Sequence, residues 1–299
     1  MKLPAEPMQP ISDDQLPQGE EWGYQLKWDG VRLLAVVDNG DVKLYSRAML
    51  LKNDTYPELV AALARLQGRY LLDGEAIVFD PVRRRPVFQL VLQRERLRSR
   101  GAVAQTSGRD PAAYVMFDVL HEGTHDLRQL SFAERHERLH RLFPEPGERL
   151  MTTELYKDGP SLWKWVEENE WEGVVSKRLS SPYREGKKHR DWLKKKTAIL
   201  LDVDIIGLTY RSGRVASLVM VRNGAYFGRI SLGLTEEMKA LLLAFAENGQ
   251  GSSPFAQLPS DLKGEKLLWL PRPLPCKATG LEITDAGLLR HPKIVSFTH

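Results

Sequence analysis

Apolar and polar positions alternate along the first part of the chain as strands do. Tyr-Gln-Leu at 24–26 is followed by a polar break, Lys-Trp-Asp-Gly at 27–30, then by an apolar run at 31–37, an Asn39-Gly40 pair and Val-Lys-Leu-Tyr-Ser at 42–46. An Asn-Gly pair between two such runs predicts a hairpin, because tight two-residue turns need positive φ at both central positions. Pro57 opens a segment, 57–66, with helical apolar spacing, and 70–80 is strand-like again with Asp73-Gly74 breaking it. Helices are predicted over 88–99, 131–142 and 160–169, and Ser131 with Glu134 fits a capping box. Between the first two of these, 114–120 reads as a buried strand. Beyond residue 196 the texture becomes a meander: strands at 200–210, 215–222 and 225–232 with an Asn223-Gly224 turn, a helix over 236–247, a polar loop at 248–254, and final strands around 266–270 and 276–283. That order predicts a small β-barrel of about 100 residues. The expectation is an α+β chain with domains 1–196 and 197–299.

With 42% hydrophobic and 27% charged residues among 299, the chain has material for a core, which excludes wholesale disorder or a fibrous repeat. A net charge of +4 is too mild to assign a nucleic-acid partner by itself. The lone cysteine, Cys276, excludes an intrachain disulfide and a cysteine zinc cluster, and reads as an ordinary thiol in a reducing compartment. No apolar run approaches the ~18 residues that cross a bilayer, and residues 1–10 lack the apolar segment of a signal peptide. The expectation is a cytoplasmic protein with no membrane partner.

Candidate chemistry begins at Lys27, in the polar break between two apolar strands, with Asp29, Gly30 and Arg32 close behind. These four residues leave two readings open, turn chemistry or a lysine held for reaction. Carboxylates recur beside glycine at strand edges, in Asp73-Gly74-Glu75 and Glu172-Gly173. Such oxygens suit a hard cation such as Mg²⁺, although each alone also fits a turn or cap. The segment 183–196 is strongly basic, and its Lys194 and Lys196, two apart, share one face of a strand where a phosphate can sit. A second basic run, 83–100, carries seven arginines against Glu95, the clustering a polyanion footprint requires.

Together these segments resemble the covalent nucleotidyltransferase superfamily of ATP-dependent DNA ligases and mRNA capping enzymes. The motifs fall in order over almost the whole chain: Lys27-Trp28-Asp29-Gly30-Val31-Arg32, Ser46-Arg47, Asp73-Gly74-Glu75, Phe117-Asp118, Glu172-Gly173-Val174-Val175, and Lys194 with Lys196. They are most similar to the ligase part of the bacterial DNA ligase D family of end-joining enzymes. The resemblance implies an adenylation domain, ATP-grasp-like in layout, followed by an OB-fold barrel that a hinge near Thr197 lets swing. It implies ATP and Mg²⁺ (or Mn²⁺) as cofactors, with Lys27 forming a lysyl-AMP bond. Asp29, Arg32, Lys194 and Lys196 would complete the catalytic set. Gln25 would read the adenine edge, Phe117 stack on the base, Arg47 and Glu75 lie near the ribose, Arg32, Lys194 and Lys196 contact the nucleotide, and Glu172 with Glu75 hold the metal. Implied partners are nicked or broken double-stranded DNA, Ku and a polymerase or primase domain; the implied setting is a nucleoid-associated monomer.

A free lysine titrates near about 10.4, so a neutral amine near physiological pH requires a shift of about three units, roughly 4 kcal/mol. Lys194, Lys196, Arg32 and a bound cation are expected to supply that shift by repelling a further positive charge. Residues 288–292 resemble the lead-in to the family's last motif, after which Lys-Ile-Val-Ser-Phe-Thr-His follows in place of Arg-x-Asp-Lys. Substitution by Arg290 and Lys293, truncation, and a weak first step all remain open. Rival readings are an RNA ligase or GTP-using capping-type enzyme, and a non-catalytic nucleic-acid-binding module. An NAD-dependent ligase is excluded, because its four-cysteine zinc site needs more than one cysteine.

Overall fold

The computed structural model describes all residues except 146, 187, 212, 250, 285 and 299. In chain order the first elements are β1 (Gln9–Ser12), β2 (Trp22–Lys27), β3 (Val31–Asp38), β4 (Asp41–Ser46), α1 (Pro57–Leu63), β5 (Arg69–Asp80) and β6 (Arg85–Pro86). There follow α2 (Phe88–Arg96), α3 (Arg100–Arg109), β7 (Ala112–Glu122), β8 (His125–Asp126), α4 (Phe132–Leu142), β9 (Leu150–Thr152), α5 (Gly159–Glu168), β10 (Gly173–Arg178) and β11 (Lys188–Lys196). The remainder comprises β12 (Ile199–Arg211), β13 (Arg214–Arg222), β14 (Ala225–Ile230), α6 (Glu236–Glu247), β15 (Lys266–Gly280), β16 (Glu282–Ile283), β17 (Leu289–Arg290) and β18 (Lys293–Phe297). Two compact units result, Met1–Thr197 and Ala198–His299.

In the first unit one sheet runs β4-β3-β5-β7-β8, and a second runs β1-β11-β10-β2. Leu33, Ala35, Leu72, Ala76, Tyr114 and Met116 alternate along their strands and bury one face of the first sheet against α1, α2 and α4. The second sheet buries Tyr24 and Val174 against Leu162 and Val166 of α5. Both sheets therefore keep one face apiece for what lies between them. The capping box of α4 forms as the sequence predicts, Ser131 and Glu134 each satisfying the other's backbone N–H.

Three expectations need correction. Residues 70–80 are not broken at Asp73-Gly74: β5 continues through them, and the irregularity is a bulge on the partner strand, where Phe117 is the extra residue. Helix α3 was not expected, because its sequence has no apolar stripe and buries only Val103. The two final strands join into one 15-residue β15, and β18 follows it. Pro271 and Pro273 fall inside the irregular stretch between the pairs Gly207↔Trp269 and Ile205↔Leu274, where the ladder is already interrupted and their missing N–H groups cost nothing.

In the second unit β14-β13-β12-β15-β18 form a sheet of antiparallel ladders, with α6 between β14 and β15 in the chain. A parallel bridge, Leu232↔Lys293, brings the chain just after β14 against β18. Cys276 is buried there, and burial pushes its thiol up to about 12, which makes it an inert core residue.

Candidate active site

Register decides which side chains meet. Residues directly opposite in an antiparallel pair share a face, so Lys27, Gly173 and Lys196 form one row across β2, β10 and β11. Gln25, Val175 and Lys194 form the next row, then Gly23, Lys177 and Trp192. Lys195, between the two lysines, points the other way and lies over the Trp163 ring at 4.0 Å. On the facing sheet Arg32 pairs with Glu75 and Leu34 with Asp73, so Arg32, Asp73 and Glu75 share a face. The bulge at Phe117 turns its ring toward the same space, where Lys177 Nζ lies 4.6 Å and Arg32 Cζ 5.2 Å from the ring centre.

Two motif glycines make this convergence possible. A Cβ on Gly30 would run into the carbonyl oxygen of Ala76, and one on Gly173 into that of Lys195. Only glycine lets the Lys27 loop and the start of β10 approach their neighbours so closely.

Lys27 donates from Nζ to Glu172 Oε2 at 2.6 Å, and Lys196 Nζ stands 3.1 Å from the other oxygen of the same carboxylate. The expected electrostatics are reversed here. Burial by itself would lower Lys27, but Glu172, Glu75 and Asp29 outweigh it and hold the amine above its usual value. Arg32 cannot supply the expected repulsion, because its guanidinium grips buried Asp73 in a two-pronged pair at 2.8 and 2.6 Å and also donates to Met8 O at 2.6 Å. Lys196 is likewise offset by Glu172.

The acids pay for this crowding. Burial first, then Glu172, pushes Asp29 up to about 6 against the pull of Lys27 and Lys196. Burial and Glu172, opposed by Lys27 and Arg32, push Glu75 up to about 8. Among the described residues no three acids, histidines or cysteines converge as a ready-made metal cage. That donor set fits Mg²⁺ nevertheless, since this ion takes one or two carboxylates and completes its shell with water and phosphate oxygens.

Of the sequence candidates, Lys27, Asp29, Glu75, Glu172 and Lys196 thus form one charged cluster. Lys194 lies on the same face, Arg32 sits behind it locked to Asp73, and Phe117 and Gln25 flank it. Arg47 is exposed in the turn after β4, and no contact joins it to the cluster among the described residues. Three further residues belong here: Asp73, which the sequence offered only as a carboxylate suited to a cation, and Lys177 and His136, which sequence reasoning did not single out. Asp73 anchors Arg32 and accepts from Tyr183 Oη at 2.7 Å. Lys177, 2% exposed, donates to Phe117 O at 3.3 Å and faces the rings of Phe117, Phe132 and Trp192 at 4.1–4.6 Å. His136 on α4 meets Gln25. The only sequence signal for Lys177 was its place in the strand beginning at Gly173.

A lysine facing carboxylates between two sheets, with a basic strand alongside, is the layout of a nucleotidyltransferase-type ligase domain. A family profile for the ATP dependent DNA ligase domain matches residues 4–196. A probable DNA ligase of Streptomyces avermitilis is 33% identical over 243 residues, covering 75% of this chain and 47% of that protein. A multifunctional non-homologous end joining protein LigD of Pseudomonas aeruginosa is 30% identical over 93% of this chain and 33% of its own. The crystal structure of the ligase domain of M. tuberculosis LigD superposes with a TM-score of 0.58 at 29% identity, over 98% of this chain and 95% of that one. A mycobacterial DNA ligase D complexed with ATP matches at 0.57 and 28%. The chain belongs to the ATP-dependent DNA ligase family. It spans between a third and about half the length of these two curated relatives.

Proposed function

We propose that this chain seals 3′-hydroxyl/5′-phosphate nicks in double-stranded DNA at the expense of ATP, through AMP carried on Lys27. Lys27 Nζ attacks the α-phosphorus, an N–P bond forms, the bond to the bridging oxygen breaks, and pyrophosphate departs. AMP then passes to the 5′-phosphate of the nick, and the 3′-hydroxyl displaces it; both are in-line displacements governed by position and charge. The observation that carries this reading is the Lys27–Glu172 pair at 2.6 Å in the middle of the carboxylate cluster. It favours the protonated form of the amine. Were Glu172 to turn from the amine toward a bound cation, the charge that raises Lys27 would be withdrawn, and the amine would release its proton to water before it attacks. Glu172 and Glu75 would hold Mg²⁺ or Mn²⁺, which would supply positive charge beside the polyphosphate.

Lys194 and Lys196 stand along the phosphates, Phe117 stacks on the adenine and Gln25 reads its edge. Glu75 lies near the ribose, as does Arg47, in the turn that follows the strand beside Arg32. Residues 198–299 are read as an OB-fold. Five strands with a helix between the third and fourth, and a parallel bridge joining the sheet's two ends, support it. Such barrels bind nucleic acid. The name of the P. aeruginosa relative, a non-homologous end joining protein, supports end joining as the setting; Ku and a polymerase or primase domain are partners proposed on the sequence resemblance alone. No helix among the described residues is long and apolar enough to cross a membrane.

The test is sealing of a nicked duplex, labelled at the 5′-phosphate, by the purified chain. The sealed strand forms with ATP and divalent ion, and Lys27→Ala abolishes it while duplex affinity stays within a few-fold. Sealing that survives Lys27→Ala, or that runs on GTP alone, contradicts the reading.

A further inference from the structure

Gln25 and His136 lie far apart in sequence and meet in the interior on the nucleotide side of β2. Gln25 is 2% exposed and His136 8%. The amide nitrogen Nε2 of Gln25 stands 3.5 Å from His136 Nδ1. An amide nitrogen only donates, so Nδ1 accepts and the imidazole proton sits on Nε2. His136 keeps that neutral form because burial above all, then His140 and Lys177, pull it down to about 3. The ring is also held in place. It packs on Phe132 at 5.7 Å between centres and on His140 at 4.4 Å, and His140 Nε2 in turn donates to Thr153 O at 3.2 Å.

We infer that His136 fixes which end of the Gln25 amide is offered to the base, and so makes the site select a purine carrying a 6-amino group over one carrying a 6-oxo group. The inference rests on the adenylation reading above and deepens it. With the Nε2 end turned to His136 and one of its two N–H groups spent there, the carbonyl oxygen Oε1 is the end turned toward the base. It accepts from an exocyclic amine, whereas a 6-oxo group would set lone pair against lone pair. Because the amide is buried, the mismatch costs more than one lost hydrogen bond. An amide free of His136 would offer either end by rotating about its last bond, and would favour neither base.

The test measures formation of the covalent nucleotide adduct in a single turnover, with ATP and with inosine triphosphate, which differ at the 6-position. The full chain, His136→Phe, and the double variant His136→Phe/Gln25→Glu are compared. The wild type prefers ATP by at least about tenfold. His136→Phe loses most of that ratio, and the double variant regains it, because a carboxylate accepts at both oxygens. A merely structural His136 would slow both nucleotides alike; an unchanged ratio in His136→Phe, or no ATP preference in the wild type, overturns the inference. Should His136→Phe fail to fold, ¹⁵N NMR of the wild-type imidazole decides: a bare Nδ1 and protonated Nε2 support the inference, and the opposite tautomer overturns it. A wild type that forms no adduct with either nucleotide overturns the adenylation reading, and this inference falls with it.

Discussion

Lys27 is held in check by the acids around it, and the sequence could not show this. Its motif, the spacing to Asp29 and Arg32, and the Glu172-Gly173 pair were all legible as chemistry. Their balance was not, because Lys27 meets Glu172 across 145 residues, and Arg32 spends its charge on Asp73, 41 residues on. Lys177 shows the same limit. Burial, abetted by Arg32 and Arg135 and opposed by Asp118 and Asp73, pulls its amine down to about 7. In the unfolded chain it titrates near about 10.4, so between those values the unfolded state binds the extra proton. Stability therefore rises with pH across that window, and the contribution is lost as pH falls through the folded value. Lys177→Met is expected to flatten the rise. Urea unfolding between pH 7 and 10 checks it, and equal slopes in both proteins would count against a buried, deprotonating Lys177.

At the scale of elements, the arginines of 83–100 divide by what they touch. Arg94, fully buried in α2, donates from Nη2 to both oxygens of Glu58 at 2.6 and 2.7 Å and from Nε to Thr55 O. It ties α2 to α1. Arg85 pairs with Glu170, while Arg96 and Arg98 are exposed. The run that reads as a single polyanion footprint is thus part scaffold. Arg94→Ala is expected to cost about 3–5 kcal/mol, because it strands a partly buried carboxylate, whereas Arg96→Ala with Arg98→Ala costs under about 1 kcal/mol and weakens DNA binding. Chemical denaturation and a salt series of duplex affinity separate these effects. Gly173→Ala is expected to unseat the start of β10 from β11 and abolish sealing, with the loss visible as a lowered melting temperature. Most strands and the helices with apolar stripes were readable from periodicity and caps. Helix α3 was not, since small and polar residues with Gly101 and Gly108 carry no stripe, and β15 was not read whole because three prolines resemble an ending.

For the whole molecule, each unit has its own core: Leu33, Leu72 and Tyr114 belong to one, Ile205, Leu218 and Met220 to the other. Fragments 1–197 and 198–299 are each expected to fold alone with a cooperative melt, and a disordered fragment in circular dichroism would contradict that independence. The change of texture at residue 197 made the division legible from sequence, because interleaved helices and strands give way there to a meander. What joins these scales is the charge state of one amine. The most direct test incubates the intact chain with ATP and Mg²⁺, digests it and maps the adduct by mass spectrometry. One added AMP on Lys27, absent without the divalent ion, is the expected result; an adduct on another residue, or none, contradicts the account.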